Sequence, residues 1–242
     1  MYYNQEEYRI KFEWGLDGIH TLYPVSDIIV IVDVLSFSTC VDIVTRNGAI
    51  VYPYQWKDKT ALNYARKQNA ILADSNRNRE SSYTLSPRSL LDISSNEKIV
   101  LPSPNGSTLS LSTENRLTVC GCLRNAKSVA DFCRLRGERI AVIAAGERWS
   151  ATGNMRVAQE DLLGAGAILS HLGSNLSPEA ESARNIYECS KSELFTIISK
   201  LSSGKELIGR GFAEDIKIAS QLNVSDSVPV LLNKAYINEK DI

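Results

Sequence analysis

Short apolar runs alternate along this chain with segments of helical period. The sharpest run, Ile28-Ile29-Val30-Ile31-Val32, is continuous rather than alternating and stops at Asp33. That is the pattern of a strand covered on both faces. After Val34-Leu35-Ser36-Phe37-Ser38-Thr39 comes a helical stretch over 40–46, closed by the stop signal Asn47-Gly48. A strand over 49–54 and a helix over 57–68 follow. Further strands are predicted at 98–101, 117–122, 139–145 and 228–232, and helices at 126–136, 162–172 and 214–221, with 177–203 reading as amphipathic helix. Residues 74–87 have no apolar period but hold Asn76, Arg77, Asn78, Arg79 and Glu80, a long polar loop of the kind that carries function. The alternation predicts an α/β protein, a three-layer α/β/α fold with a largely parallel or mixed sheet. In such folds ligands sit beyond the carboxyl ends of strands. A length of 242 residues admits one such domain over 1–242, or two intertwined halves.

Composition narrows the function mainly by exclusion. With 43% apolar residues, 23% charged residues and a net charge of -1 the chain reads as an ordinary soluble globular protein. Arginines and lysines are scattered, so no nucleic-acid partner is expected, and an anion must be held by local groups. A small anionic substrate fits that description. The longest apolar run is broken by Asp33 and falls far short of the ~20 residues that span a bilayer. The first ten residues carry Glu6-Glu7 and no apolar core, unlike a signal peptide. A cytoplasmic protein with no membrane partner is expected, and a homodimer stays open. The five cysteines read as buried small hydrophobes in a reducing compartment. The Cys120-x-Cys122 pair lacks nearby zinc ligands, since His20 and His171 are distant in sequence.

Four strand ends carry polar residues that a structural loop would not need: Asp33, the turn over 103–108, residues 121–125, and Gly146-Glu147. A carboxylate straight after five apolar residues is desolvated unless it caps a helix, binds a cation or takes part in chemistry. Ser36, Ser38 and Thr39 behind it offer hydroxyl and amide donors, and Asn125 offers another at the third strand end. The turn Pro104-Asn105-Gly106-Ser107-Thr108 enters a helix, so its amides either cradle a phosphate or form an ordinary Asn-Gly turn. Glu147, Glu160 and Asp161 are the remaining acids at element edges. Together with Asp33 they suffice for one Mg²⁺, which takes one or two carboxylates plus water and substrate phosphate oxygens. Asp33, Glu160 and Asp161 are the metal candidates, and Asp33, Glu147 and Asp161 the catalytic ones. Glu160-Asp161 alternatively complement a helix dipole. The run Gly164-Ala165-Gly166-Ala167 implies that another element approaches that helix closely.

Rival chemistries lack their motifs. A haloacid-dehalogenase-type nucleophile at Asp33 needs an aspartate two residues on, where Leu35 stands. Cys40 with Arg46 and Cys133 with Arg139 have the spacing of a cysteine phosphatase loop but not its strand-to-helix setting. No G-x-S-x-G, Walker or G-x-G-x-x-G motif is present.

Taken in order, these segments resemble the 2-phosphosulfolactate phosphatase family. Val32-Asp33-Val34-Leu35 with Ser38-Thr39 and Asn47-Gly48-Ala49 is similar to its first motif, and Asn105-Gly106-Ser107 to its Asn-Gly-Thr turn. Gly121, Leu123 and Asn125-Ala126 resemble its Gly-Ser-x-Leu-Asn-Ala strand end. Ala145-Gly146-Glu147, Glu160-Asp161 with Gly164-Ala165-Gly166, and the closing block from Gly211 to Leu231 complete the series over roughly residues 27–232. The resemblance implies an α/β/α fold, magnesium, and hydrolysis of (R)-2-phospho-3-sulfolactate to sulfolactate and phosphate in coenzyme M biosynthesis. Two positions depart from the family. Ser36 stands where an arginine commonly follows Asp-Val-Leu, and a serine cannot replace that bidentate anion partner. The long loop reads Ala73-Asp74-Ser75-Asn76-Arg77 and Thr84-Leu85-Ser86-Pro87 in place of the usual glycine-rich segment. Arg77 or Arg79 is therefore expected to supply the missing anion contact. The alternative is a non-catalytic binder of an anionic metabolite on the same fold.

Overall fold

A computed structural model describes residues 2–56, 58–74, 76–77, 83–114 and 116–242. Its strands are β1 (Ile10–Trp14), β2 (Ile28–Val32), β3 (Ile50–Tyr54), β4 (Ile71–Leu72), β5 (Lys98–Pro102), β6 (Leu117–Gly121), β7 (Ile140–Ala144), β8 (Glu147–Arg148), β9 (Met155–Arg156), β10 (Pro229–Leu232) and β11 (Ala235–Asn238). Among the described residues all but β8 and β9 join one nine-stranded sheet, ordered β1-β7-β2-β6-β10-β11-β3-β5-β4. The block β1, β7, β2, β6 is parallel. The sense then reverses at β10, at β11 and again at β3, after which β5 and β4 continue parallel to β3. The sheet is mixed, as expected.

Helices cover it on both sides: α1 (Gly15–Leu22), α2 (Phe37–Arg46), α3 (Lys59–Gln68), α4 (Gly106–Leu111), α5 (Ala126–Arg136), α6 (Gln159–Leu169), α7 (Pro178–Ser190), α8 (Leu194–Lys200), α9 (Ser202–Gly209) and α10 (Ala213–Ala219). The reason lies in β2. Side chains alternate across a strand, so Ile28, Val30 and Val32 enter one core with α5, α6 and α7, while Ile29 and Ile31 enter another with Ile19 and Leu22 of α1 and Leu109 of α4. All five are buried. Each such side chain contributes about 1.5–3 kcal/mol by leaving water, which is why this run anchors the centre of the parallel block.

The glycine run predicted to be approached closely does lie at a tight crossing. A Cβ at Gly164 would stand 2.5 Å from Val34 Cγ2, and one at Gly166 only 2.3 Å from the Ala183 carbonyl oxygen of α7. Gly166→Ala is accordingly expected to destabilise the fold by about 1–3 kcal/mol, since neither backbone can yield cheaply. A lowered melting temperature checks it.

Several stretches depart from the expectations: α1, β4, β8, β9 and β11 carry no expected element, and α2 begins at Phe37 rather than at 40. The segment 177–203 is not one helix but α7, α8 and the start of α9; Ser177 caps α7, its Oγ accepting from the Ala180 amide at 3.1 Å. The edge strand β1 escapes the pattern because Lys11 and Glu13 interrupt its apolar positions, yet Lys11 is buried and burial lowers its pKa. The helical region opened by Glu160-Asp161 begins earlier than expected, at Gln159, so both acids fall in its first turn. Four cysteines are buried and Cys189 is exposed, all of them free. Among the described residues no helix is long and apolar enough to cross a membrane.

Candidate active site

Because β2 and β7 are parallel neighbours in register, Asp33 and Ala145 leave the sheet side by side, and the Ala145 amide donates to the Val32 carbonyl at 2.8 Å. The turn after β5 joins them through α4, which packs against β2, β3, α1 and α2. There the Gly106 amide donates to Asp33 Oδ2 at 2.9 Å, while the Phe37 amide donates to Oδ1 at 3.3 Å. Gly106 has no substitute at this point, since a Cβ would lie 2.3 Å from Phe37 Cδ1 and 2.7 Å from Asp33 Oδ2. Asp33 thus does cap the segment entering α2, and it also faces a cavity.

That cavity, about 390 Å³, is lined by Asp33, Ser36, Arg77, Asn105 and Glu147 together with Arg148, Glu206 and Arg210. Asn105 is held in place by its Nδ2, which donates to Glu147 Oε1 at 2.9 Å. Arg77 Nη2 donates to Ser36 Oγ at 3.3 Å, and Nη1 pairs at 3.3 Å with Asp215. Asp215, buried in the first turn of α10, also accepts from Ser86 Oγ at 2.6 Å and from the Arg88 amide at 3.2 Å. Arg77, Ser86 and Arg88 are thereby tied to α10, and a guanidinium stands beside Ser36, the position that carries arginine in the resemblance. A wider cavity of about 850 Å³ around the β8–β9 hairpin shares Glu147, Arg148 and Glu206 but does not reach Asp33.

The site is acidic at its base. Burial, and then Glu147, push the Asp33 carboxyl up to about 6. Burial, and then Asp33 and Glu160, raise Asp161 well above the carboxylate range. Asp161 lies behind the cavity wall, where Oδ1 accepts from the Val34 amide at 2.7 Å and Oδ2 from the Gly146 amide at 2.9 Å, so it fixes the two strand ends against each other. Among the described residues no three His, Cys, Asp or Glu side chains are gathered closely enough to hold a metal ion by themselves. Asp33, Glu160 and Asp161 therefore form no ready-made shell of three ligands. The donor chemistry still suits a hard cation that takes one or two carboxylates and completes its shell with water and phosphate oxygens.

Asp33, Ser36, Arg77, Asn105 and Glu147 come together as one lining. Other candidates are placed differently. The hydroxyls of Ser38, Thr39 and Ser107 are spent on the chain itself: Ser38 Oγ accepts from the Asp33 amide at 2.7 Å, Thr39 donates to the Val34 carbonyl at 2.8 Å, and Ser107 to the Leu101 carbonyl at 3.0 Å. The Gly106 amide, one of those that either cradle a phosphate or belong to an ordinary turn, is given to Asp33. Asn125 is buried and accepts from the Cys122 amide at 2.9 Å while donating to the Ser227 carbonyl at 3.1 Å, so the third strand end stays outside the cavity. Arg79 lies outside the described residues. Sequence reasoning missed Arg148, Glu206 and Arg210. Arg148 adjoins Glu147 and was within reach of the strand-end argument, whereas Glu206 and Arg210 arrive on α9 and its end with no local motif. Cys40 is buried with its thiol pushed up by burial, which agrees with its exclusion as a nucleophile.

A sheet layered by helices, with acids and arginines together lining one cavity beyond β2 and β7, defines an α/β/α protein whose site suits an anionic ligand. The chain belongs to the 2-phosphosulpholactate phosphatase family, whose model matches residues 17–234. It is similar to a "probable 2-phosphosulfolactate phosphatase" of Pseudothermotoga lettingae, 26% identical over 232 residues, covering 93% of this chain and 99% of that one. It is also similar to a "2-phosphosulfolactate phosphatase" of Methanothermobacter thermautotrophicus, 30% identical over 132 residues, covering 54% of this chain and 55% of that relative.

Proposed function

We propose that the protein is a magnesium-dependent phosphatase that hydrolyses 2-phosphosulfolactate, or a related phosphorylated hydroxy acid, to the hydroxy acid and phosphate. One observation carries this reading: the buried Asp33 and the Arg77 guanidinium line the same cavity, with Ser36 accepting a hydrogen bond from that guanidinium. The names of the relatives support the substrate. Asp33 would hold the ion, which would supply charge against the transferring phosphoryl oxygens. The chain's own groups do the rest. Arg77, fixed by Asp215, binds phosphate oxygens by charge-assisted bonds. Glu147 takes Asn105 on one oxygen, and its other oxygen makes no hydrogen bond among the described residues, so it is free to orient the attacking water and take its proton. With that substrate the enzyme acts in the cytoplasm, in coenzyme M biosynthesis.

Phosphate release from a panel of phosphorylated hydroxy acids, with magnesium or with chelator, tests the reading. Magnesium-stimulated turnover of at least one member supports it; none on any member makes the protein a binder. Arg77→Ala is expected to raise KM for the best substrate about ten- to a hundredfold, the worth of a charge-assisted hydrogen bond, with a smaller change in kcat. An unchanged KM would remove Arg77 from phosphate binding.

A further inference from the structure

The cavity holds more positive groups than one phosphate needs, and they are not tied down equally. Arg77 is mostly buried and engaged with Asp215 and Ser36. Arg148 spends Nη1 on the Gly153 carbonyl inside its own hairpin, at 3.0 Å. Arg210, at the end of α9, is more than half exposed and pairs with Glu206 one helical turn back, at 3.1 Å, itself two-thirds exposed. Such a surface pair contributes little and exchanges readily for another anion. Arg210 is nonetheless aimed, because its guanidinium carbon lies 5.8 Å from the centroid of the Phe212 ring. The Arg77 guanidinium lies 5.8 Å from the same centroid. A single aromatic ring therefore carries both cations, one of them hydrogen-bonded to Ser36, and both line the same cavity as Asp33.

We propose that Arg210, seated on Phe212 beside Arg77, selects phosphate esters that carry a second anionic group, a sulfonate or carboxylate remote from the phosphate. This rests on the phosphatase reading and deepens it. Arg77 takes the phosphate next to Asp33; Arg210 leaves Glu206 and takes the far anion. The exchange replaces one exposed ion pair by another that is partly screened from water by Phe212 and the substrate, so it favours a doubly anionic ester over one with a neutral tail. A neutral tail leaves Arg210 with Glu206 and gains nothing from it.

The test is a specificity ratio. kcat/KM is measured for 2-phosphosulfolactate, for 2-phospholactate, which lacks the sulfonate, and for glycerol 2-phosphate, which has no second anion, using wild type, Arg210→Ala and Arg210→Lys. The ratio of 2-phosphosulfolactate to glycerol 2-phosphate is expected to fall about ten- to a hundredfold in Arg210→Ala, with part of the loss recovered in Arg210→Lys. The phospholactate arm assigns the contact: a ratio of 2-phosphosulfolactate to phospholactate that also falls means sulfonate, and one that holds means carboxylate. A ratio of 2-phosphosulfolactate to glycerol 2-phosphate unchanged within about twofold in Arg210→Ala overturns the proposal. Should wild type hydrolyse none of the three, the phosphatase reading fails on its own, and calorimetry with sulfolactate decides the remaining question. Binding weakened about tenfold or more in Arg210→Ala upholds the anion contact, and equal binding overturns it.

Discussion

Asp33→Asn is expected to lower magnesium-dependent phosphate release about a hundred- to a thousandfold, the scale of losing one preorganised electrostatic group, while the protein stays folded. The carboxylate is buried and accepts two amides, from Phe37 at 3.3 Å and Gly106 at 2.9 Å. Asparagine keeps one acceptor oxygen, so one amide loses its partner at a cost of about 1–3 kcal/mol. Against that, the variant no longer buries a charge that Glu147 and Glu160 oppose. The two effects offset, and the melting temperature in chelator should move by only a few degrees. Their balance depends on pH with a definite sign. A carboxyl raised from about 3.9 in the unfolded chain to about 6 in the folded protein binds its proton more tightly when folded. It therefore favours the fold at low pH, and that contribution is lost as pH rises from about 4 through about 6. In metal-free protein, the variant should gain on wild type across that window. Normal turnover in a folded Asp33→Asn protein would remove the residue from the chemistry, and a large loss of stability at neutral pH would leave it a helix cap.

Gly106→Ala should be nearly as damaging, for steric reasons. Alanine in place of glycine inside a helix gains about 1 kcal/mol in propensity. The new Cβ, however, meets Phe37 Cδ1 at 2.3 Å and Asp33 Oδ2 at 2.7 Å. Phe37 is fully buried and packed edge-on against Tyr236, with ring centroids 6.2 Å apart, so it cannot retreat without opening the core. Overpacking of this kind costs about 1–3 kcal/mol, which outweighs the propensity gain. If Asp33 yields instead, its carboxylate shifts by a fraction of an ångström or more, and displacement of about 1 Å costs roughly a hundredfold in rate. A drop of several degrees in melting temperature together with such a loss in kcat is the expected result. Wild-type values for both would show that the contact is loose.

Asp33 was legible because burial and charge conflict within one short string of residues, and no tertiary knowledge is needed to see it. Glu147 and the Asn105 turn were legible for the same reason, each ending an apolar run. The hydroxyls were not. Ser38, Thr39 and Ser107 read as ligand donors, but short loops let them satisfy backbone groups a few residues away, and the sequence does not tell the two uses apart. Asn125 failed likewise, turned inward to Cys122 and Ser227. Arg77 was reached by asking what could replace an arginine at Ser36. Arg210 and Glu206 were beyond reach, since α9 meets the cavity only through the packing of the final helices. The edge strand with buried Lys11 was missed because a lysine argues locally for exposure, while here α1 and its surroundings cover it.

Whether Asp33 forms the proposed magnesium-dependent phosphatase site is tested most directly by initial-rate phosphate release from (R)-2-phospho-3-sulfolactate by the full chain, in magnesium and in chelator, beside Asp33→Asn. Wild-type turnover is expected to be abolished by chelation and restored by added magnesium, and to fall about a hundred- to a thousandfold in the folded variant. Equal turnover in chelator and magnesium, or turnover retained by Asp33→Asn, would contradict the assignment.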